Sequence, residues 1–226
     1  MSTKNTNQSR HHRTERWERR LVRALQAVIV LILGLGLWYG NVGVVVNAGV
    51  GLLVTLAPTY LERNYRITMN VGLVLWITTA MFLHALGTLP LPGLEFLSPY
   101  QAIWWWDHLT HLFSASLVAG AAYATLRAVE KHVDGVRLTP TFTFVCLLLF
   151  TMAFGVVWEL LEFAIGEAAR LFGTAQVLTQ FGLDDTVFDL MYDTAGGLVV
   201  ALFGTAYLTG LSEQLAARLD ARSANR

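Results

Sequence analysis

Long apolar runs separated by short polar segments dominate this sequence. Six runs are nearly free of charged side chains, and all but the longer fifth run have about the 17–25 residues that an α-helix needs to cross a bilayer. They lie near residues 22–40, 43–60, 67–88, 107–127, 140–168 and 187–211. The pattern predicts an all-α, polytopic membrane helix bundle with about six transmembrane helices.

The segments between the runs carry most of the positive charge. If the N-terminus is cytoplasmic, all but one of the 16 Lys and Arg residues lie on the cytoplasmic side, and Arg170 lies outside. Because cytoplasmic loops are enriched in Lys and Arg, we predict that both termini are cytoplasmic. The predicted organisation is a disordered basic tail over residues 1–20, a six-helix transmembrane domain over 21–212 and a short cytoplasmic tail over 213–226.

Composition supports the membrane class and excludes several others. Hydrophobic residues make up 54% of the chain and charged residues 14%, with a mean hydropathy of +0.49. Soluble domains carry about 25% charged residues, so we predict no large soluble domain. The formal net charge is zero, which provides no bulk attraction to nucleic acid, and the single Cys146 has no disulfide partner. We expect a multi-pass protein of the plasma (inner) membrane of a prokaryote; the sequence does not indicate its oligomeric state.

Acidic and histidine side chains gather at the predicted extracytoplasmic end of the last three runs. The fourth run carries two of them four residues apart, the fifth two that are three apart, and the sixth three at steps of four. Each set therefore shares one helix face. These residues are Asp107, His111, Glu159, Glu162, Asp185, Asp189 and Asp193. His84 and His108 lie at a similar depth, and we interpret them as interior or boundary histidines.

The charge balance of this cluster predicts a bound cation. Six of its seven members are carboxylates, and only Arg170 is predicted to oppose them on the same side. Like carboxylates in a low-dielectric site cannot all be ionised, so they need shared protons or a cation. Helix bundles hold divalent metals with acids and His at three- and four-residue spacings. We therefore predict a divalent metal cofactor, whose identity among Mg, Mn, Zn and Fe the sequence does not specify.

Helix capping is an alternative role for some of the acids. Asp184 lies at the predicted start of the sixth span, where a carboxylate satisfies free N–H groups, and we interpret it as a cap. Asp107 and Asp185 fit a cap and a site equally well, and the two roles can coexist. Capping does not explain Asp189 or the two glutamates of the fifth span.

Three motifs in this region resemble those of the YjdF family of small bacterial and archaeal inner-membrane proteins. They are an aromatic-Asp-x-x-x-His block at 106–111, a Glu-[Leu/Ile]-x-Glu-aromatic block at 159–163, and an Asp-Thr-x-aromatic-Asp block at 185–189 followed by Gly196 and Gly197. The resemblance covers roughly residues 65–210. More distantly, the chain is similar to VanZ-like proteins, although Asp193 stands where their pattern has Asn. The resemblance implies the membrane fold and the site but supplies no reaction.

Three functions are compatible with the cluster. The first is a metal-dependent hydrolase acting on a lipid or envelope-precursor substrate, with His111, Asp107 and Asp189 as metal ligands and Glu159 or Glu162 as ligand or general base. The second is a cation- or proton-coupled transporter. Internal repeats usually place polar breaks in both halves of such a protein, whereas the first three spans here hold few acids. The third is a structural ion site in a protein that works through partners.

Overall fold

The computed structural model describes residues 2–133, 135–178 and 180–223, and the elements within these ranges are all helical. They are α1 (Ser2–Trp38), α2 (Val42–Tyr65), α3 (Val71–Gly87), a 3-10 turn (Pro92–Leu94), α4 (Pro99–Ala102), α5 (Trp106–His132), α6 (Pro140–Phe172) and α7 (Leu183–Ser223). Within these described ranges, five helices are long and apolar enough to cross a membrane, and α3 with the bent segment that follows it can provide a sixth span. The predicted all-α, multi-pass fold is confirmed.

The third predicted span differs most from expectation. Helix α3 has 17 residues, and the following Pro92–Ala102 segment is bent from it by 60°. At about 1.5 Å per residue, α3 covers about 26 Å, a little less than the hydrocarbon thickness of about 30 Å. Pro90 and Pro92 end the helix because proline lacks the N–H that a continuing helix needs. The third span is therefore short or broken, where the sequence predicted one continuous helix over 67–88.

Helices α1 and α7 are longer than one membrane span. Among the described residues, Thr14–Trp38 and Leu183–Phe203 are long and apolar enough to cross a membrane. Helical backbone also occupies much of both predicted tails, which are rich in good helix formers such as Arg, Glu, Gln and Ala. The predicted disorder of residues 1–20 stays a prediction. The domain boundaries themselves, 21–212 and 213–226, stay predictions.

The first two helices are joined by a tight turn. Gly40 has a φ of 65°, a left-handed conformation that glycine adopts at little cost. Asn41 then caps α2, because its side-chain Oδ1 accepts a hydrogen bond from the Val44 backbone N–H at 3.1 Å. The polar dipeptide between two apolar runs thus makes α1 and α2 antiparallel neighbours.

The crossing helices pack as two groups of three. Helices α1, α2 and α3 contact one another, and so do α5, α6 and α7. The groups meet where α3 packs on α5: Trp76 stacks on Phe113 with ring centroids 4.8 Å apart, and its Nε1 donates to Ser116 Oγ at 2.8 Å. Helices α2 and α6 make at most isolated contacts with each other. The two groups therefore diverge on the side away from α3 and α5.

Helices α5 and α7 approach very closely where a glycine faces a backbone. A Cβ atom placed on Gly196 would lie 2.5 Å from the carbonyl oxygen of Leu112 and 3.2 Å from the Cβ of Ala115. Small residues allow transmembrane helices to pack backbone against backbone. This contact sets how near the acidic stripe of α7 comes to the histidines of α5.

We predict that Gly196→Ala destabilises the protein and that Gly49→Ala does not. The first substitution forces α7 away from α5 and should lower the free energy of unfolding by about 1–3 kcal/mol. The second adds a methyl group to α2 where no atom lies within 4 Å, so unfolding should become harder by about 0.5–1 kcal/mol. Unfolding of both variants in mixed micelles measures the difference. Equal stabilities would contradict the close packing of α5 on α7.

Candidate functional site

The structure brings the seven predicted site residues together at one end of the second helix group. Helix α5 begins at Trp106, so its two site residues lie in its first two turns, while those of α7 lie along its first three turns. The α6 pair belongs to the opposite end of its antiparallel helix. Six of the seven are buried, and Asp185 is half-buried. That these residues bind a metal or act in catalysis stays a prediction.

His111 is the centre of the cluster. Its Nδ1 lies 3.2 Å from Oδ1 of Asp193 on α7. Its Nε2 lies 3.7 Å from Oε1 of Glu159 on α6 and 3.8 Å from Oδ1 of Asp107, one turn earlier on α5. One imidazole therefore contacts carboxylates from all three helices. Asp193, which departs from the more distant family pattern, belongs to the cluster through this contact.

Three overlapping groups in the cluster have ligand atoms close enough to hold a metal ion. They are Asp107–His111–Asp189, His108–Asp185–Asp189 and His111–Glu159–Glu162. Within each group, one nitrogen or oxygen from every member lies within 4.8 Å of the others. His111 and Asp189 each belong to two groups, so the three form one continuous arrangement rather than separate sites.

His108 is a cluster member that the sequence interpretation missed. Its Nδ1 lies 2.7 Å from Oδ1 of Asp189, its ring stacks on Tyr192 with centroids 5.3 Å apart, and it is buried. The sequence interpretation treats it as an interior or boundary histidine, and adjacent helix positions point about 100° apart, so His108 does not share the face of Asp107 and His111. Helix α5, however, packs against α6 and α7 at once, and both faces contribute. The signal available in the sequence was only that His108 immediately follows Asp107.

Three buried carboxylates each have one oxygen held by a donor and one that has no hydrogen-bond partner. Among the described residues, the unpartnered atoms are Glu159 Oε1, Glu162 Oε2 and Asp189 Oδ2. The partnered ones are Glu159 Oε2, which accepts from Thr186 Oγ1 at 2.8 Å; Glu162 Oε1, which accepts from Trp158 Nε1 at 3.0 Å; and Asp189 Oδ1, beside His108. Metal-ligating carboxylates are commonly oriented in this way by hydrogen bonds to their second oxygen.

Basic side chains do not neutralise the described part of the cluster. Arg170, the one cation predicted on this side, is exposed and pairs with Glu167, its Nη2 lying 2.6 Å from Oε2. The remaining donors are two imidazoles and carboxylate oxygens, a set that suits Mg, Mn, Zn or Fe. The residues present therefore fit the divalent cation that the sequence predicted.

Asp185 combines the two roles that the sequence left open. Its Oδ2 accepts a hydrogen bond from the backbone N–H of Phe181 at 3.1 Å, just before the start of α7. The same carboxylate belongs to the group with His108 and Asp189. At the start of α5 the N-cap residue is Trp105, whose side chain makes no capping hydrogen bond. Asp107 lies inside the helix, where its side chain faces His111.

Gly155 leaves room for Asp193. A Cβ atom at Gly155 would collide with the Asp193 carboxylate and lie 3.1 Å from Cδ2 of Leu190. Because α6 has only hydrogen at this position, the acid of α7 can lie between the two helices and reach His111. The glycine is therefore part of what positions the cluster.

A cavity of about 620 Å³ adjoins the cluster. Asp107, His111, Glu162 and Asp193 line it on the side of α5, α6 and α7, and His84 lines the opposite side. His84 is thus outside the cluster, in agreement with its interpretation as an interior histidine. Its Nε2 lies 2.8 Å from Asn47 Oδ1 and its Nδ1 lies 2.7 Å from the hydroxyl of Tyr100.

Asn47 connects α2 to the loop between α6 and α7. Its Nδ2 donates to the carbonyl oxygens of Gly43 at 2.8 Å and Val177 at 2.9 Å, and its Oδ1 faces His84. Residues 130 positions apart are thereby joined over the end of the cavity nearest the cluster. This buried amide holds the two helix groups together at that end.

We predict that Asn47→Ala lowers the free energy of unfolding by about 1–3 kcal/mol, because it leaves buried polar partners unsatisfied. Asn64→Ala on the same helix is the matched control: its Nδ2 also donates to a carbonyl four residues earlier, that of Tyr60, but it is exposed. That change should stay within about 0.5 kcal/mol. Thermal unfolding in detergent compares the two. A control as damaging as Asn47→Ala would argue against a special role for the buried amide.

Comparison with known proteins places the chain among uncharacterised membrane proteins. Residues 21–210 match the profile of a family described as predicted membrane protein (DUF2238). The chain is also 24% identical over 181 residues to an uncharacterized protein of Thermotoga maritima, an alignment that covers 78% of this chain and 86% of that protein. No solved structure matches. The YjdF and VanZ-like resemblances stay predictions.

Proposed function

The chain belongs to the DUF2238 family of predicted membrane proteins, and for this member we propose a metal-dependent hydrolase that acts on a lipid or lipid-linked envelope substrate. One observation carries the proposal. Glu159, Glu162 and Asp189 are at least 94% buried, and each aligns one carboxylate oxygen with a donor while the other has no hydrogen-bond partner in the described structure. Such oxygens are costly to bury unless a cation or a proton compensates them.

The ligands we propose for a divalent cation are His111, Asp107 and Asp189, whose ligand atoms lie within 4.8 Å of one another, together with Glu159 beside His111. Glu162 shares another group with His111 and Glu159, so it lies close to the cation without being one of its proposed ligands. The neighbouring donors support the assignment, because hydrogen bonds to the second oxygen fix the orientation of a ligating carboxylate. Thr186 does this for Glu159, and Trp158 holds the neighbouring Glu162 in the same way.

Hydrolysis follows from the same residues. A divalent cation held by imidazole and carboxylates makes a bound water a strong nucleophile at neutral pH. Glu162 borders the cavity and is the general base we propose. It takes one proton from the water while the water oxygen forms a bond to the electrophilic carbon or phosphorus atom of the ester. The bond to the leaving alcohol then breaks, and the glutamate returns the proton to the alcohol oxygen.

The proposed location is the plasma membrane of a prokaryote, with both termini in the cytoplasm. The distribution of Lys and Arg supports this orientation. The cluster then lies near the extracytoplasmic face, at the depth of lipid headgroups in the outer leaflet. A lipid in that leaflet is the substrate class that this depth suits.

Elemental analysis of the purified protein tests the proposed metal site. We expect stoichiometric divalent metal in the parent protein. Glu159→Gln and Asp189→Asn should each weaken its retention at least about tenfold, since changes around metal ligands typically cost about 10–100-fold in affinity. Asp184→Asn is the matched control, because this exposed acid of the first turn of α7 lies outside the three groups and should leave the metal content unchanged.

The outcomes separate the three candidate functions. A parent protein without metal would contradict the proposal. Metal-dependent release of product from a lipid extract, abolished by Glu162→Gln, would support hydrolysis. Ion flux in liposomes that depends on the same acids, without hydrolysis, would favour the transporter. A metal whose removal unfolds the protein, with neither activity, would favour a structural ion site.

A further inference from the structure

The cavity beside the cluster changes character along its length. Near the start of α5 its lining is polar, with Asp107 and His111 on one side and His84 on the other. Deeper in the bundle it becomes apolar, with side chains of three helices. These are Val50 and Val54 on α2, Leu117 and Val118 on α5, and Phe154 on α6. From Asp107 to Val118 the axis of α5 rises about 16 Å, at about 1.5 Å per residue. The cavity is thus polar at one end and apolar at the other.

The cavity is open on the side that faces lipid. Helices α2 and α6 line opposite walls but make at most isolated contacts with each other. At this gap Val50 of α2 is 53% exposed and Phe154 of α6 is 44% exposed, and both are apolar. The opposite side is closed by the packing of α3 on α5. Because apolar side chains border the gap, we expect acyl chains of the bilayer rather than water next to it.

The polar end is covered by the loop between α6 and α7. Gln176, Val177 and Phe181 line the cavity from this loop. The loop backbone lies directly on α2: a Cβ atom at Gly43 would be 3.1 Å from the carbonyl oxygen of Gln176, and Asn47 donates to Val177. A ligand approaching along the helix axes therefore meets this loop, while a ligand arriving from the bilayer meets the gap.

We propose that the cavity binds one hydrocarbon chain of a membrane lipid, which enters sideways between α2 and α6 and places its polar headgroup beside His111 and Glu162. The volume, about 620 Å³, lies within the range of about 300–1,000 Å³ typical of small-molecule sites. The apolar end of the cavity accommodates the hydrocarbon chain. Because the polar end of the cavity is continuous with the cluster, the headgroup lies beside His111 and Glu162. The fate of the headgroup rests on the proposed hydrolase function, whereas binding of the chain does not.

A phospholipid carrying a diazirine in one acyl chain tests the lipid site in the full-length protein. After reconstitution in phospholipid nanodiscs and irradiation, labelled peptides are mapped by mass spectrometry. We expect adducts inside the cavity, at Ser114 and Val118 of α5, in addition to exposed lipid-facing positions such as Leu53. Adducts confined to exposed positions, or cross-links between two copies of the chain at the gap, would overturn the proposal.

A pair of substitutions on α2 tests the proposed entry. Val50→Trp fills the gap and should reduce labelling of Val118 about tenfold. Val46→Trp, one turn earlier and exposed but not lining the cavity, should leave that labelling unchanged. Equal labelling in the two variants would overturn entry between α2 and α6. If Val50→Trp does not fold, the position of the adducts in the parent protein still decides whether a chain lies in the cavity.

Measuring the metal content of the same variants separates the test of the lipid site from the test of the proposed hydrolase function. Val50→Trp should retain the metal and lose the label, whereas Glu159→Gln should lose the metal and retain the label. A parent protein that is labelled in the cavity but contains no metal would end the hydrolase proposal and leave the lipid site standing. A parent protein that contains metal but is labelled only outside the cavity would overturn the lipid site and leave the hydrolase proposal standing.

Discussion

Burying several carboxylates among transmembrane helices is energetically costly, and the packing of α5, α6 and α7 has to compensate for that cost. Removing a single ion from water costs several kcal/mol even after the protein relaxes, and charges of the same sign add repulsion. Two imidazoles and a few neutral donors are the compensation visible in the described cluster, since Arg170 pairs with Glu167 instead. The cluster therefore demands a cation or bound protons. The proposed metal chemistry follows from this requirement. So does the presence of hydrogen-bond donors that orient one oxygen of each buried carboxylate.

Close helix packing brings the acids and histidines together. Gly196 lets α7 touch the backbone of α5, and Gly155 lets Asp193 lie between α6 and α7. Substituting either glycine would displace the carboxylates even though no acidic residue is altered. The transmembrane parts of the two helix groups pack together mainly along α3 and α5, so the space beside His111 opens on the other side. Site and cavity are thus two consequences of one arrangement of helices.

Hydropathy predicted the fold and spacing predicted most of the cluster, because both depend on local periodicity. Near-uncharged runs located the spans, and three- and four-residue steps placed acids on shared faces. The same periodicity failed for His108, since it assigns one face of α5 to the site while the helix has two buried neighbours. It also did not predict the bent Pro92–Ala102 segment that follows the third span. The cavity exists because α2 and α6 do not pack against each other. Which helices pack together cannot be read from the hydropathy or periodicity of any single helix.

The central claim is that the cluster around His111 binds a divalent cation. Anomalous diffraction from crystals of the protein grown with Mn²⁺ tests it most directly. We expect a peak among His111, Asp107 and Asp189, on the side of Glu159, at about the 2.0–2.6 Å usual for bonds from hard cations to oxygen ligands. Well-ordered density for these side chains with no anomalous peak in the cluster, or with peaks only at exposed acids such as Glu167, would contradict it.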